Sequence, residues 1–460
     1  MTTPITSLPK PKGNFLTGNL KQFKSNSNHL VLENWVKECG EIFHISFVGK
    51  KFLVSADPEF NQFVLKSRPD LFRRFHKIGE VMEELGVVGV FNAEGDEWKK
   101  HRKITSEALN TKNVRAYFPV IQSITENLVQ KALQFQTQNE SWNVQHEMMK
   151  YTVDITTEIA FGYPMNTLLE NANVIQNDLG QIFPALQRRI TAPIPIWRYI
   201  KSKEDKSLEA ALKRIETFIY QFIKEAKDRL QNSPTLKENP TNFLEAMLVE
   251  QEKSEAFTDK EIYGNVFTML LAGEDTTSNS ISWIVYFLLT HPEWTEKVKN
   301  EALHVFPDNI TPTSVDQLQS LKITEAVCLE AMRLKPVTPT LYMESLTDTT
   351  YKNIQLPKGT SMMLQNKVAQ TDSKNFDDPD LFNPSRWIKN ECPYHQHSPA
   401  LMRAFGSGPR FCPGKALAMN EMIMAVSSLF KNLNLQLAVC PEEVTEVFAF
   451  TMYPENLMVK

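Results

Sequence analysis

Phe405-Gly406-Ser407-Gly408-Pro409-Arg410-Phe411-Cys412-Pro413-Gly414 puts three glycines, one arginine and one cysteine directly before an apolar helical run. Glycine admits the turn conformations and the close backbone approach that a flat ligand needs, and it lets N–H groups aim at a sulfur. A cysteine thiolate that accepts such bonds at a helix start is stabilised as an anion. Alone, Cys412 reads as a buried structural cysteine in a glycine-rich turn, the commoner use of a free cysteine. Its surroundings have to decide.

Upstream, Ala272-Gly273-Glu274-Asp275-Thr276-Thr277 interrupts the longest apolar run, Val266 to Thr290. Charges at its middle would cost several kcal/mol in lipid, so the run predicts a buried helix rather than a membrane span. Ala272 and Thr276 share one helix face, and Gly273 would let the helix open over a ligand. A hydroxyl beside an acid can pass protons, since it both donates and accepts and the acid restores what it gives. A polar patch that caps or kinks a core helix is the equal alternative. Glu330 and Arg333 lie on one helix face and can pair, with Pro384-Ser385-Arg386-Trp387 downstream, and here a structural role is expected. Trp98 and Arg102 share a face within Trp98-Lys99-Lys100-His101-Arg102-Lys103, where the planar arginine fork suits a carboxylate. For Lys99, Lys100 and Lys103 a solvated basic face is the ordinary reading.

The 460 residues are 42% hydrophobic and 23% charged, which allows a large buried core and argues against disorder. No linker, repeat or low-complexity tract divides them, so one compact domain over 1–460 is expected, with a Pro-rich segment at 1–20. A net charge of -4 gives no global reason to expect nucleic acid. Cys39, Cys328, Cys392, Cys412 and Cys440 are odd in number and irregularly spaced, which speaks against a disulfide scaffold. The opening MTTPITSLPKPKGNFLTGNL has no charged start followed by an apolar run, so secretion is not expected and a cytoplasmic home without a transmembrane anchor is.

Ile42 to Ser55 alternates around Val48-Gly49-Lys50-Lys51 and predicts a hairpin. Asp57-Pro58-Glu59 predicts a capped helix start. From Asp96 to about Phe430 the 3.6-residue apolar period dominates, as in Ile215, Ile219, Phe222, Ile223 and Ala226. Strands are expected at Tyr351 to Met363, Leu433 to Val439 and Val447 to Tyr453. The fold class is therefore α+β, predominantly α-helical. Two connectors, Arg68 to Gly95 and Asn177 to Lys206 with its Pro184, Pro193 and Pro195, read as long irregular lids or binding loops.

Together these motifs resemble the cytochrome P-450 superfamily. The cysteine stretch matches that family's haem-ligand signature, Phe-x-x-Gly-x-Arg-x-Cys-x-Gly, at Phe405, Gly408, Arg410, Cys412 and Gly414. With residue types near ~5% of usage, such a match arises by chance on the order of once in ten thousand sequences of this length. Ala272 to Thr277 resembles the oxygen-activation stretch, Glu330, Arg333 and Arg386 the Glu-Arg-Arg triad, and Trp98 with Arg102 a haem-propionate pair. Arg410 resembles a second propionate partner. The likeness runs from Leu8 to Tyr453. It implies a helical prism with a small β-rich lobe, and heme b (iron protoporphyrin IX) held between the helix around Ala272 and the loop around Cys412. It further implies Cys412 as the iron ligand, Phe405, Gly406, Gly414 and Ala272 as cofactor contacts, and Asp275 with Thr276 as the catalytic proton carriers. One departure stands out: where many relatives have an arginine after Pro339, this chain reads Tyr342-Met343-Glu344, which puts one propionate contact in doubt.

The resemblance implies a monooxygenase of soluble bacterial type, inserting one oxygen atom from O2 into a hydrophobic fatty acid, terpenoid or sterol-like molecule. Electrons would come from a separate ferredoxin with its reductase or a flavodoxin-type donor, greeted by Lys99, Lys100 and Lys103. Expected pocket walls are Val87 to Asn92, Ile182 to Trp197, Ala272, Thr276, Thr338 to Leu341 and Phe450. A peroxide-using or rearranging enzyme of the same fold and a non-catalytic haem-binding sensor remain the alternatives; the intact Asp275-Thr276 pair speaks against the first.

Overall fold

The computed structural model describes residues 2–23, 26–169, 174–192, 194–254 and 257–460. At its centre lies the helix Asp259–Thr290, opened by a capping box in which the Thr258 hydroxyl accepts from Glu261 N–H and the Glu261 carboxylate accepts from Thr258 N–H. Apolar on most sides, this helix is buried on most sides, against Val144–Phe161, Lys322–Leu334 and Lys415–Asn432. The predicted opening at Gly273 is absent: the helix runs unbroken through 272–277. The glycine serves a crossing instead, since a Cβ there would stand 2.6 Å from Thr156 Oγ1 on the neighbouring helix.

The strand-rich lobe is a five-stranded sheet in the order Ile42–Phe47, Lys50–Ser55, Ser361–Gln365, Thr340–Ser345, Phe72–Arg74. The predicted hairpin is its first pair, turned at Val48 and Gly49 with φ of 47° and 83°, the two left-handed residues of a tight hairpin turn. Asp57 caps Pro58–Lys66 as expected, accepting from the N–H groups of Glu59 and Phe60. A second hairpin, Thr445–Ala449 with Thr451–Glu455, lays its outer strand on the central helix and turns at Phe450, φ 77°.

Three expectations need correction. The 68–95 connector is not irregular: it contains the strand Phe72–Arg74 and the helix His76–Glu84. The 177–206 connector likewise holds the end of Val174–Leu179, the helix Ile182–Thr191 and a short 3-10 turn at Ile196–Arg198; Pro193 lies outside the described residues. Pro184 falls in the first turn of Ile182–Thr191, where a missing N–H breaks no helical bond. The strand expected at 433–439 shrinks to one bridge, Leu437 with Val459.

Glu330, Arg333 and Arg386 are essentially solvent-free. Arg333 Nε donates to Glu330 Oε2 at 2.9 Å, Arg386 Nε to Glu330 Oε1 at 2.9 Å and Trp387 Nε1 to Oε2 at 2.8 Å. Arg333 also donates to the carbonyls of Gln370 and Pro379. The network thus nails the segment leading into the cysteine loop onto the helix Lys322–Leu334, the structural role expected from sequence. Two large apolar clusters form the core, and Met269 of the central helix borders both.

Candidate functional site

At that seam lies a cavity of about 340 Å³, walled by the central helix on one side and the cysteine loop on the other. Of the expected site residues, Trp98, Arg102, Ala272, Thr276, Phe405, Gly406, Arg410, Cys412 and Gly414 all line it. Asp275 does not; it is buried just behind.

The glycines of the loop are explained by their backbone conformation and by one close approach across the fold. Gly406 and Gly408 have φ of 74° and 72°, and a Cβ on Gly408 would fall 2.4 Å from the Leu65 carbonyl oxygen. Cys412 N–H closes the loop on the Phe405 carbonyl at 2.9 Å. The sulfur then faces the backbone N–H groups of Gly414 and Lys415 at the start of Lys415–Asn432, and the Arg102 guanidinium stands near it. Burial pushes the Cys412 thiol up, while those two N–H groups and Arg102 pull it back.

One rim of the cavity is strongly cationic. Arg68, Arg74, Arg102 and Arg410 all line it. Arg410 donates to Glu94 Oε2 at 2.6 Å and to the carbonyls of Val90 and Phe91, and its guanidinium lies 5.0 Å over the Trp98 ring. Arg68 donates to Glu94 Oε1 at 3.2 Å. Burial pushes Arg410 down to about 10 and Arg74 well below the ordinary arginine value, with like charges among them adding to the effect. Arg68 and Arg410 share the Glu94 carboxylate, while the guanidinium groups of Arg74 and Arg102 have no carboxylate partner among the described residues, which leaves room for a ligand that brings carboxylates of its own.

Across the cavity, Thr276 Oγ1 donates to the Ala272 carbonyl at 2.7 Å. Asp275 accepts from the Thr451 hydroxyl; burial raises its pKa to about 6, against the opposing bonds from Thr451 and Asn279. Beside it, burial and the Asp275 charge raise Glu274 well above the carboxylate range. The expected walls at Val90, Phe91, Thr338, Thr340, Leu341 and Phe450 line the cavity. None of the described residues of the expected wall at 182–197 does: Phe183 stacks on Phe450 at 5.3 Å and stands one layer back, because its helix packs against His76–Glu84. Motif reading misses Glu94, Arg68 and Arg74. All three lie in the connector read as irregular, and only long-range pairing brings them to the rim.

The basic helix is also more inward-looking than expected. Lys100 bonds Glu261 and lies 4.8 Å over the Phe257 ring, and Lys99 pairs with Asp96 at 2.8 Å. Lys103 is exposed and has no ion pair among the described residues.

A sulfur under one face, a carboxylate-seeking rim and a small hydroxylic residue over the other face suit an iron porphyrin held by a thiolate. Comparison with known proteins agrees: the family model for cytochrome P450 matches residues 8–460, and the chain belongs to that family. Protein LUTEIN DEFICIENT 5, chloroplastic, of Arabidopsis thaliana is 24% identical over 442 residues, covering 93% of this chain and 73% of its own length. Cytochrome P450 3A18 of Rattus norvegicus is 26% identical over 431 residues, with 89% and 82% covered. Abscisic acid 8'-hydroxylase 4 of Arabidopsis thaliana is 24% identical over 423 residues, with 90% and 84% covered. The protein is accordingly a haem b monooxygenase, an oxidoreductase that uses O2, a redox partner and hydrophobic substrates. Among the described residues no helix is long and apolar enough to cross a membrane.

Proposed function

We propose that Cys412 is the iron ligand of this monooxygenase and that its substrate is a largely apolar small molecule of fatty-acid, terpenoid or sterol type. The observation that carries the reading is the position of Cys412 in the cavity wall, faced by two backbone N–H groups and Arg102 and flanked by the cationic rim. Bound there, haem supplies the activation of dioxygen, with a thiolate ligand favouring O–O cleavage.

The chain's own groups do the rest. Gly414 and Lys415 N–H groups stabilise negative charge on the sulfur, and would favour the thiolate that ligates iron once the thiol proton has been released to solvent. Trp98, Arg102 and Arg410 hold the propionates, and Phe405, Gly406, Gly414 and Ala272 leave flat space for the ring. Thr276 and Asp275 carry protons from the buried interior to the oxygen-binding face. Ile78, Phe91, Phe243, Leu341 and Phe450 give the cavity an apolar lining that favours a hydrophobic substrate and excludes water. We further take the chain as one domain over 1–460, supplied with electrons by a separate ferredoxin or flavodoxin-type protein. A cytoplasmic home is supported by its cysteines: Cys39, Cys328, Cys392, Cys412 and Cys440 are all free.

The test is spectroscopic. The reduced, carbon-monoxide-treated protein is expected to show the long-wavelength band of thiolate ligation, and Cys412→Ser to lose it. A wild-type protein purified with haem but without that band, or a serine variant that keeps it, would overturn the assignment. Shifts of the haem absorption band across a panel of fatty acids, terpenoids and sterols then identify the substrate class.

A further inference from the structure

The strand Thr340–Ser345 carries Tyr342, Met343 and Glu344 where an arginine would be expected to reach a propionate, and none of these offers a cation. The adjacent strand does. Phe72–Arg74 pairs antiparallel with it, and Arg74 stands directly opposite Met343. Directly opposed residues of such a pair project from the same face of the sheet, with Cβ atoms roughly 5 Å apart. Both side chains line the cavity.

Among the described residues the Arg74 guanidinium has no carboxylate of its own. Glu94 accepts side-chain bonds from Arg68 and Arg410 but takes only the backbone N–H of Arg74. Arg74 Nε has no hydrogen-bond partner there, and its guanidinium lies 3.8 Å over the Phe91 ring. A buried guanidinium left in this way is expensive unless an anion meets it. The neighbouring Arg73 is already committed: it bonds Glu344, which also bonds His76, so the acid of the substituted strand is neutralised away from the rim.

We propose that Arg74 takes over the haem-propionate contact that Met343 cannot make, the cation having moved one strand across the sheet at the same register. The inference rests on the reading of this cavity as the haem site. Its test is haem retention rather than turnover: the rate at which purified holoprotein loses haem to an excess of apomyoglobin. Arg74→Met is expected to speed that loss roughly tenfold or more, as for removal of a charged hydrogen bond, and Arg74→Lys less. The transposed protein, Arg74→Met with Met343→Arg, is expected to return to within about threefold of wild type, and it keeps the test decisive should Arg74→Met alone fail to fold. An Arg74→Met protein that holds haem as long as wild type, or a folded transposed protein no better than Arg74→Met, overturns the proposal. Failure of the haem-site reading looks different, because wild type itself would then lack the thiolate spectrum.

Discussion

Asp275 does not face its sequence neighbour Thr276: it accepts a hydrogen bond from Thr451 of the C-terminal hairpin, while Thr276 gives its hydroxyl proton to the Ala272 carbonyl. Thr451 follows Phe450, which holds a left-handed backbone, lines the cavity, and touches the rings of Phe183 and Phe91. The acid is therefore held by the residue next to a pocket wall. Thr451→Val removes a bond to a buried carboxyl, a change worth about 1.5–3 kcal/mol when that carboxyl is charged. Product formed per electron consumed should fall several-fold while substrate binding, followed by the haem band shift, stays put. Thr451→Ser should restore it. Unchanged coupling in the valine variant would show that the anchor plays no part in proton delivery.

The same acid sets a pH dependence. Its folded pKa is raised from 3.8 to about 6, chiefly by burial, so the folded state holds its proton more tightly than the unfolded chain. The resulting sign is fixed: stability is full below about pH 4, falls as pH rises toward about 6, and stays low above. The penalty amounts to about 1–2 kcal/mol at about pH 5 and about 3 kcal/mol at about pH 7.5. Asp275→Asn escapes it. Urea unfolding should therefore show the asparagine variant gaining on wild type across that interval, even as its coupling falls. A stability difference that is flat over the same range would refute the raised pKa.

What the sequence makes legible is whatever a short stretch decides alone. The first hairpin and the Asp57 cap are set by their own stretches, and the cysteine loop and the buried polar turn of the central helix carry recognisable motifs, although Gly408 and Gly273 also answer to Leu65 and Thr156 across the fold. The cationic rim is only half visible. Trp98, Arg102 and Arg410 sit in recognisable patterns, but Arg74 becomes a site residue only through its register with Met343, and Glu94 through its bonds to Arg68 and Arg410. The helix Ile182–Thr191 is hidden because its proline looks like a breaker, although first-turn position makes it harmless. Gly273 belongs to the expected helix but for a different reason; its neighbour across the crossing is Thr156, on another helix far back along the chain.

Glycine in the cysteine loop can be tested at two neighbouring positions. Gly406 and Gly408 both have positive φ, but a Cβ on Gly406 would meet nothing within 4 Å, whereas one on Gly408 would strike the Leu65 carbonyl at 2.4 Å. Gly406→Ala should cost only the left-handed strain, about 1–2 kcal/mol. Gly408→Ala adds a clash with backbone that cannot swing away. Thermal unfolding of the purified holoproteins should rank Gly408→Ala clearly below Gly406→Ala, and equal midpoints would mean the loop yields at Leu65.

The basic helix gives a test of donor docking. Lys99 is paired with Asp96 and Lys100 with Glu261, so of the three lysines Lys103 alone is left unpaired among the described residues. Lys103→Glu should slow reduction by an acidic donor and flatten the decline of that rate with rising salt. A rate indifferent to salt in wild type would place the docking face elsewhere.

Glu330 offers the sharpest separation of structure from chemistry. Its carboxylate sits without solvent between Arg333 and Arg386, so Glu330→Gln keeps the shape but strands two buried positive charges. Breaking a buried pair in this way costs about 3–5 kcal/mol. Because Arg386 and Trp387 lie on the segment that leads into the cysteine loop, the loss should appear as low haem content and a lowered unfolding midpoint. Whatever holoprotein survives should still show the thiolate band, since Glu330, Arg333 and Arg386 all lie outside the cavity lining. If instead haem content were normal and the band altered, the network would be acting on the sulfur itself rather than on the scaffold that carries it.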